Sequence, residues 1–238
     1  MTILRTTLCS TTLVCLLTLS ANASIIQVNT SSDSFELNSH AMNIMGATSP
    51  YLTTDDLALA NSIMDDWGID TNGKITILPV NTNAGLSFLT LIDKEAGGGD
   101  TGSNATLGLT STASSTLGMY INDATQDVWQ LIQPPFGAQT LGATFTWGSG
   151  ESGDGFAWAD LSYGDFFSYS FNNLDGMENT FDEDAFQFVS WANDGWEVVS
   201  TNGFNIDGTS VFTGITIPGP PAAMLIAALA LNRRRRRH

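Results

Sequence analysis

Residues 185–200 read AFQFVSWANDGWEVVS, two apolar runs on either side of a short polar turn. The runs, Ala185 to Trp191 and Trp196 to Ser200, are rich in aromatic and β-branched residues, which favour strands. Asn193-Asp194-Gly195 between them is typical of a tight hairpin, because these residue types adopt the backbone conformations that such a turn requires. This stretch therefore predicts an antiparallel β-hairpin.

Runs of the same kind continue upstream and downstream of the hairpin, separated by Gly, Asn, Asp and Ser. They are Ile75 to Val80, Leu86 to Ile92, Thr116 to Ile121, Val128 to Ile132, Thr140 to Trp147, Phe166 to Phe171 and Val211 to Ile217. With the hairpin they predict an all-β fold, an antiparallel β-sandwich or jelly-roll-like domain. No helical pattern alternates with them, which argues against a parallel α/β sheet. A second turn is expected at residues 205–208, and exposed glycine-rich loops are expected at residues 96–103 and 148–155.

One segment has helical periodicity. Leu57, Ala60, Ile63, Met64 and Trp67 follow a helical spacing, and Gly68 follows them. Thr54 is a suitable N-cap, and the two aspartates after it suit the positive end of the helix dipole. We therefore expect a short helix over residues 54–67.

Charge divides the chain into a leader at 1–23, a body at 24–217 and a tail at 218–238. All 24 acidic residues fall in the body, whose basic residues are Lys74 and Lys94. The formal charge of the body is therefore 2 minus 24, or −22. Too few cations are present to neutralise phosphates, so we expect no nucleic-acid partner. A body of this length fits one domain.

The leader has the features of a secretory signal peptide. Arg5 precedes an apolar run from Leu8 to Leu19, and Ala21-Asn22-Ala23 provides the small residues that signal peptidase requires. We expect cleavage between Ala23 and Ser24; the alternative is a buried N-terminal helix. Cys9 and Cys15 both lie in the leader, so the mature body would contain no thiol and no disulfide.

The tail combines three features in a fixed order. Pro218-Gly219-Pro220 would end any strand or helix, the ten residues from Ala222 to Leu231 are apolar, and five consecutive basic residues follow. Ten helical residues span about 15 Å, half of a hydrocarbon core of about 30 Å. The basic residues would act as a stop signal on the cytoplasmic side. They are Arg233, Arg234, Arg235, Arg236 and Arg237.

This order of features resembles the PEP-CTERM sorting signal of Gram-negative and related bacteria, with Gly219 at the position of the glutamate that names the motif. The resemblance implies recognition by a membrane protease of the exosortase type near Pro218, Gly219 and Pro220. It also implies location in the cell envelope, on the cell surface or outside the cell, with transient or permanent anchoring by the C-terminus. The alternative is a plain tail anchor or a membrane-associated basic end. The resemblance covers the tail alone, and the family of the body is not recognised.

Clustered carboxylates are the candidate metal ligands, because irregular groups of oxygen ligands on loops suit Ca²⁺. The main candidates are Asp175, Glu178, Asp182, Glu183 and Asp184. Two smaller groups are Asp65 with Asp66 and Asp70, and Glu151 with Asp154. Asp70-Thr71-Asn72-Gly73 matches part of a calcium loop, but Pro79 stands where the closing glutamate would be. The alternative for each group is a solvated surface.

Catalytic motifs are scarce, and no catalytic or cofactor-binding residue is predicted. His40 is the one histidine of the body, and we interpret it as a loop residue. Trp147, Trp158, Trp191 and Trp196 can stack on sugar rings or pack in the core. We therefore expect a non-enzymatic surface or matrix protein with a structural, adhesive or glycan-binding role, its partner being a surface polysaccharide. The alternative is a secreted glycan-active hydrolase that uses paired carboxylates.

The tail predicts the behaviour of a fusion protein. A secreted passenger carrying residues 215–238 should remain at the membrane, because each arginine costs about 2.5 to 3.5 kcal/mol at the membrane centre and ten apolar residues do not offset five of them. The same fusion with all five arginines changed to asparagine should reach the medium. Membrane and medium fractions are compared by immunoblot, and equal partitioning of the two fusions would contradict the sorting hypothesis.

Overall fold

A computed structural model describes residues 24–46, 51–94, 105–122, 128–147, 153–175, 185–202 and 210–218. Ile25–Ile217 forms one compact unit. The leader up to residue 23 and the tail from residue 219 lie outside the described residues. In the described part of the chain, no helix has both the length and the apolar character that a membrane crossing needs.

Strands dominate the described residues, and one helix accompanies them. In chain order the elements are β1 (Ser24–Asn29), β2 (Ser34–Asn38), β3 (His40–Ala41), α1 (Thr54–Asp66), β4 (Ile75–Thr82), β5 (Gly85–Ile92), β6 (Ala105–Ala113), β7 (Gly118–Ile121), β8 (Val128–Ile132), β9 (Gln139–Trp147), β10 (Asp154–Ala159), β11 (Phe166–Asp175), β12 (Phe186–Ala192), β13 (Gly195–Asn202) and β14 (Ser210–Pro218).

Two sheets contain these strands. The first sheet has the order β2-β1-β14-β11-β6-β9-β8, and the second has the order β13-β12-β4-β5-β10-β7, with β3 paired to β4. The all-β prediction is therefore confirmed. One departure is that the second sheet is mixed, because β12 and β3 both pair with β4 in parallel. β12 pairs with the start of β4, from Ile75 onward. β3 pairs with the same edge of β4 further along, from Val80 onward.

The hairpin of β12 and β13 forms as predicted. Ala192 pairs with Gly195, so the connection contains two residues, Asn193 and Asp194. Their φ angles are 48° and 68°, in the left-handed region that a two-residue type I′ turn requires and that Asn and Asp tolerate. The second predicted turn, at residues 205–208, lies outside the described residues.

The main core fills the space between the sheets, and aromatic side chains contact one another across it. Phe88 of the second sheet contacts Phe167 of the first, with ring centroids 4.3 Å apart, and Phe156 contacts Tyr169 at 5.2 Å. Burial raises the pKa of the Tyr169 phenol well above its usual value, while the nearby Thr90 hydroxyl lowers it by a smaller amount. The phenol therefore stays neutral, as burial in the core requires.

The indole of Trp158 shows how the core accommodates a polar group. Trp158 is fully buried, and its Nε1 donates a hydrogen bond of 2.8 Å to Oγ of Ser111. That hydroxyl donates in turn to the carbonyl oxygen of Ser168 at 2.8 Å. The indole N–H and the Ser111 hydroxyl therefore both have hydrogen-bond partners. Burial of the large ring thus leaves neither donor unpaired, which would otherwise cost stability.

A second core lies on the other face of the second sheet, under α1. Leu57, Ala60 and Met64 of the helix are buried against strands β4, β5 and β10, together with neighbouring apolar residues. Because both faces of these strands are covered, residues 75–80 are all buried. This explains why the sequence shows a nearly continuous apolar run there rather than strict alternation.

The N-cap of α1 lies one residue before the predicted cap. Thr53, not Thr54, is the N-cap, and it forms a capping box in which its side chain accepts from the Asp56 N–H. The Asp56 carboxylate accepts from the Thr53 N–H at 3.0 Å and also from the Met45 N–H at 3.0 Å. The helix ends at Asp66, with Trp67 as C-cap, so the prediction of residues 54–67 is confirmed within one residue.

Gly214 supplies a test of core packing. It faces Phe167 across the β11–β14 pair, and a Cβ at this position would collide with the Phe167 ring. Gly214→Ala should lower the free energy of unfolding by about 1 to 3 kcal/mol, since overpacking forces side chains or backbone to move. Gly142→Ala is the matched control, because Gly142 is an exposed strand residue with nothing within 4 Å of a Cβ. Urea denaturation of both variants measures the difference; an equal effect would contradict the packing.

Candidate functional site

Four aromatic rings meet on the face of the second sheet that carries α1. We call His40, Trp67, Trp191 and Trp196 the aromatic cluster. The β12–β13 hairpin places Trp191 directly opposite Trp196. β3 brings in His40, and the C-cap of α1 brings in Trp67. Three separate segments therefore converge on one surface.

Trp191 is the centre of the aromatic cluster. The His40 imidazole stacks on it, with centroids 3.6 Å apart and the planes at 7°. Trp196 and Trp67 meet it edge to face, at 5.4 Å and 84° and at 5.7 Å and 80°. Edge-to-face pairs are a favoured aromatic arrangement, each stabilising by about 0.5 to 1.5 kcal/mol. The contacts with Trp196 and Trp67 thus stabilise the position of the Trp191 ring.

Exposure rises from the inner to the outer rings of the aromatic cluster. Trp196 is 5% exposed and belongs to the core beneath α1, while Trp191 is half-buried. Trp67 is 48% exposed, and His40 is exposed as well. The cluster is therefore an anchored platform whose outer rings face solvent.

A glycine positions the outermost indole. A Cβ at Gly195 would lie 2.5 Å from Cζ3 of Trp67, so the Trp67 ring lies directly over the backbone of β13. The Trp67 backbone N–H is held by carbonyl oxygens of the last helical turn, and Gly68 follows at a φ of 72°. A glycine in the left-handed conformation is a common end of a helix, and here it leaves the indole directed toward the hairpin.

The chain around the aromatic cluster is acidic. Asp66 precedes Trp67, Asp194 precedes Gly195, and Glu197 follows Trp196. Of the two basic residues of the body, Lys94 lies near the end of α1, where its Nζ contacts Oδ2 of Asp65 at 2.9 Å and offsets that charge. An anionic ligand would be repelled at this surface, whereas a neutral ligand would not.

The predicted calcium ligands mostly fall outside the described residues. Glu178, Asp182, Glu183 and Asp184 lie outside them, and Asp175 is described by its backbone alone, at the end of β11. Within the described ranges, no group of three or more His, Cys, Asp or Glu side chains is arranged to hold a metal. The partial calcium loop is closed by its own hydrogen bond, in which the Asn72 N–H donates to Oδ1 of Asp70 at 3.0 Å.

The glycine-rich stretch predicts an exposed loop at Asp154, and this prediction is wrong. Asp154 opens β10 and is 5% exposed, beside the end of β5 where Asp93 is 2% exposed. Oδ1 of Asp93 accepts a hydrogen bond of 2.8 Å from the Gly73 N–H. A paired-carboxylate hydrolase needs its acids open to substrate, and these two are sealed within the domain. Glu151 lies outside the described residues.

The processing and stop residues of the two termini are described only in part. Ser24 is the first residue of β1 and Pro218 is the last residue of β14. Only the backbone of these two residues is described. The others lie outside the described residues: Ala23, Gly219, Pro220 and Arg233 to Arg237.

The tryptophan and histidine predictions have mixed outcomes. Trp158 belongs to the core, Trp196 is mostly buried, and Trp191 is half-buried in the aromatic cluster; the side chain of Trp147 is not described. The interpretation of His40 as a loop residue is wrong, because it forms β3 and stacks on Trp191. The helical spacing places Trp67 on the helix and does not identify it as a site residue. Its position next to the helix-ending Gly68 is the signal that sets it apart.

Comparison of the chain with protein-family models, curated proteins and solved structures finds no match.

The contact between Trp67 and Gly195 can be measured by a double-mutant cycle. Gly195→Ala should lower the free energy of unfolding by about 1 kcal/mol, because the added methyl group forces the Trp67 ring to move. The same substitution in a Trp67→Ala background should have little effect, since the obstructing ring is gone. Urea denaturation of the four proteins gives the coupling energy, and additive effects would show that the ring does not lie over Gly195.

Proposed function

We propose that this chain is an exported cell-surface or extracellular-matrix protein whose jelly-roll-like β domain binds a neutral polysaccharide through the aromatic cluster. Its role is adhesive or structural and does not require catalysis. The leader and the tail direct its export and sorting, with signal peptidase and an exosortase-type protease as processing partners. The observation that supports the binding role is the anchored, solvent-facing platform formed by Trp67, Trp191 and His40.

Two properties of the platform favour a sugar ligand. The apolar C–H faces of a pyranose ring match the flat face of an indole, and Trp67 exposes about half of its surface for that contact. Covering about 100 Å² of apolar surface stabilises a complex by about 2.5 kcal/mol. The perpendicular arrangement of Trp67 and Trp191 adds a second aromatic surface at 80° to the first. A ligand with several sugar units can therefore contact more than one ring.

Charge selects among the polysaccharides. The body has a formal charge of −22, and acidic residues flank the rings of the aromatic cluster in the sequence. A polyuronate or sulfated polymer would meet repulsion at low salt. A neutral polymer would bind through stacking alone, which does not depend on salt. We therefore assign a neutral glycan as the ligand class.

Affinity electrophoresis tests this assignment. The full chain is run in native gels that contain a neutral glucan, mannan or galactan, and in gels that contain alginate or hyaluronate. Retardation should occur in at least one neutral gel and in neither anionic gel. Trp67→Ala should weaken it by about tenfold, which corresponds to about 1.4 kcal/mol of lost stacking. Tyr163→Ala is the control, because Tyr163 is 72% exposed and is not part of the aromatic cluster.

Two results would contradict the proposal. One is retardation in the anionic gels that equals or exceeds that in the neutral gels. The other is equal retardation of the Trp67→Ala and Tyr163→Ala variants, which would show that binding occurs elsewhere on the surface. Thermal unfolding followed by circular dichroism confirms that each variant is folded before its mobility is interpreted.

A further inference from the structure

Large apolar side chains are exposed at one end of the first sheet. Phe136, in the turn between β8 and β9, is 89% exposed, and Tyr163, in the turn between β10 and β11, is 72% exposed. Phe166 begins β11 and pairs with Ile215 of β14, and both side chains are exposed. We call these four residues the apolar rim. Exposed apolar surface of this kind marks a contact with another protein or with a membrane.

Hydrogen bonds join the two turns of the apolar rim through the loop between β6 and β7. Gln139 follows the first turn and is buried, and its Nε2 donates to the carbonyl oxygens of Ser114 at 2.8 Å and Leu117 at 2.7 Å. On the side of the second turn, the Thr116 hydroxyl donates to Oδ1 of Asp165 at 2.8 Å. One shared loop therefore fixes the positions of the two turns relative to each other.

The segments that form the apolar rim carry little charge, although the formal charge of the body is −22. Asp165 is the one charged residue between positions 161 and 174, and its carboxylate accepts hydrogen bonds from the Thr116 hydroxyl and the Ser162 N–H, both at 2.8 Å. Asp160 precedes this stretch and lies over Gly85 of the second sheet. The other segments of the rim and its connecting loop have no charged residue: 105–121, 128–150 and 210–217.

Both ends of the body lie at the end of the domain that carries the apolar rim. The C-terminal end is Ile217, two residues after Ile215. The N-terminal end is the start of β1, which pairs with the end of β2. β3 follows β2 and pairs with Val80 near the end of β4. At the start of the next strand the Leu86 carbonyl oxygen accepts from the Leu161 N–H, beside the second turn of the rim.

The apolar stretch of the tail starts a short distance from the apolar rim. It begins at Ala222, five residues after Ile217, and five extended residues span at most about 18 Å. A tail anchored in a membrane therefore keeps this end of the body close to the membrane surface. Tyrosine is enriched at membrane–water interfaces, and phenylalanine is common on the lipid-facing side of interfacial segments.

We propose that the apolar rim contacts the phospholipid bilayer that anchors the tail, with Phe136 and Tyr163 in the interfacial region. The inference rests on the anchoring role proposed for the tail and is independent of the glycan assignment. A second copy is a less favourable partner, because two bodies of charge −22 repel each other, whereas a phosphatidylcholine surface has no net charge. The tail makes the contact intramolecular, so a few side chains suffice to strengthen a short anchor.

Quenching of a fluorescent label by lipid tests this contact in the full chain. Cys9 and Cys15 of the leader are changed to serine, and one cysteine is introduced by Ser162→Cys, Ser31→Cys or Ala227→Cys. Each protein is labelled with an environment-sensitive fluorophore and reconstituted into phosphatidylcholine vesicles. Half of the vesicles contain phosphatidylcholine with a nitroxide on the acyl chain close to the headgroup, which quenches a label that reaches the interface.

The three positions report on different parts of the chain. Ser162 is exposed beside Tyr163, so its label leaves the apolar rim itself unchanged. Ser31 is exposed in the turn between β1 and β2, at the opposite end of that hairpin from the start of β1. Ala227 lies in the middle of the apolar stretch of the tail and reports on anchoring.

The nitroxide lipid should quench the labels at Ser162→Cys and Ala227→Cys and leave the label at Ser31→Cys bright. Adding Tyr163→Asp to Ser162→Cys should reduce the quenching by about half or more, because a carboxylate is disfavoured in lipid. Leu59→Asp is the matched control, since it adds the same charge at an exposed apolar residue of α1, away from the rim. It should leave the quenching unchanged. Circular dichroism confirms that each variant is folded.

The results separate failure of the rim contact from failure of the anchor. Quenching at Ala227, with no more quenching at Ser162 than at Ser31, would overturn the rim contact and leave the anchoring intact. An unquenched label at Ala227 would contradict the anchoring, and the rim contact with it. A label at Ser162 that is shifted to the blue but not quenched would show that protein, a second copy or the tail, covers the rim instead of lipid. Equal effects of Tyr163→Asp and Leu59→Asp would also overturn the proposal.

Discussion

Every residue from Ile75 to Val80 is buried, so other parts of the chain have to cover both faces of β4. The first sheet covers one face with its aromatic side chains, and α1 covers the other. The helix depends on this arrangement, because 13 residues are marginal as an isolated helix in water. Its position in turn sets the position of Trp67 and hence of the aromatic cluster. Burial of a central strand thus determines where the exposed rings lie.

Local features of this fold are predictable from sequence because their causes are local. The Asn193-Asp194 turn and the spacing of Leu57, Ala60 and Met64 are examples, since backbone preference and periodicity act within a few residues. The parallel pairings of β4 are not predictable in this way. They join segments far apart in the chain, and neither run carries a signal that selects its partner.

The candidate site is harder to predict for the same reason. His40, Trp67 and Trp191 are separated by more than 20 residues at each step, and only the tertiary structure brings them together. The sequence prediction of Asp154 as a loop residue fails because Gly153 and Gly155 suggest flexibility. Both positions instead serve close packing, since an added Cβ would collide with neighbouring backbone at each of them. Glycine indicates a turn and a tight contact equally well, and sequence alone does not separate the two.

The position of β14 affects the timing of folding. It lies between β1 and β11, so the strand nearest the N-terminus joins the first sheet only after residues 210–218 have arrived. A ribosome or a translocation channel releases the chain from its N-terminus onward, and long-range strand pairing is slow compared with local structure. The first sheet therefore stays incomplete until nearly the whole body has emerged. Late closure of this kind leaves the emerging strands of the first sheet without their final partners, a state in which a chain can still pass through a narrow pore.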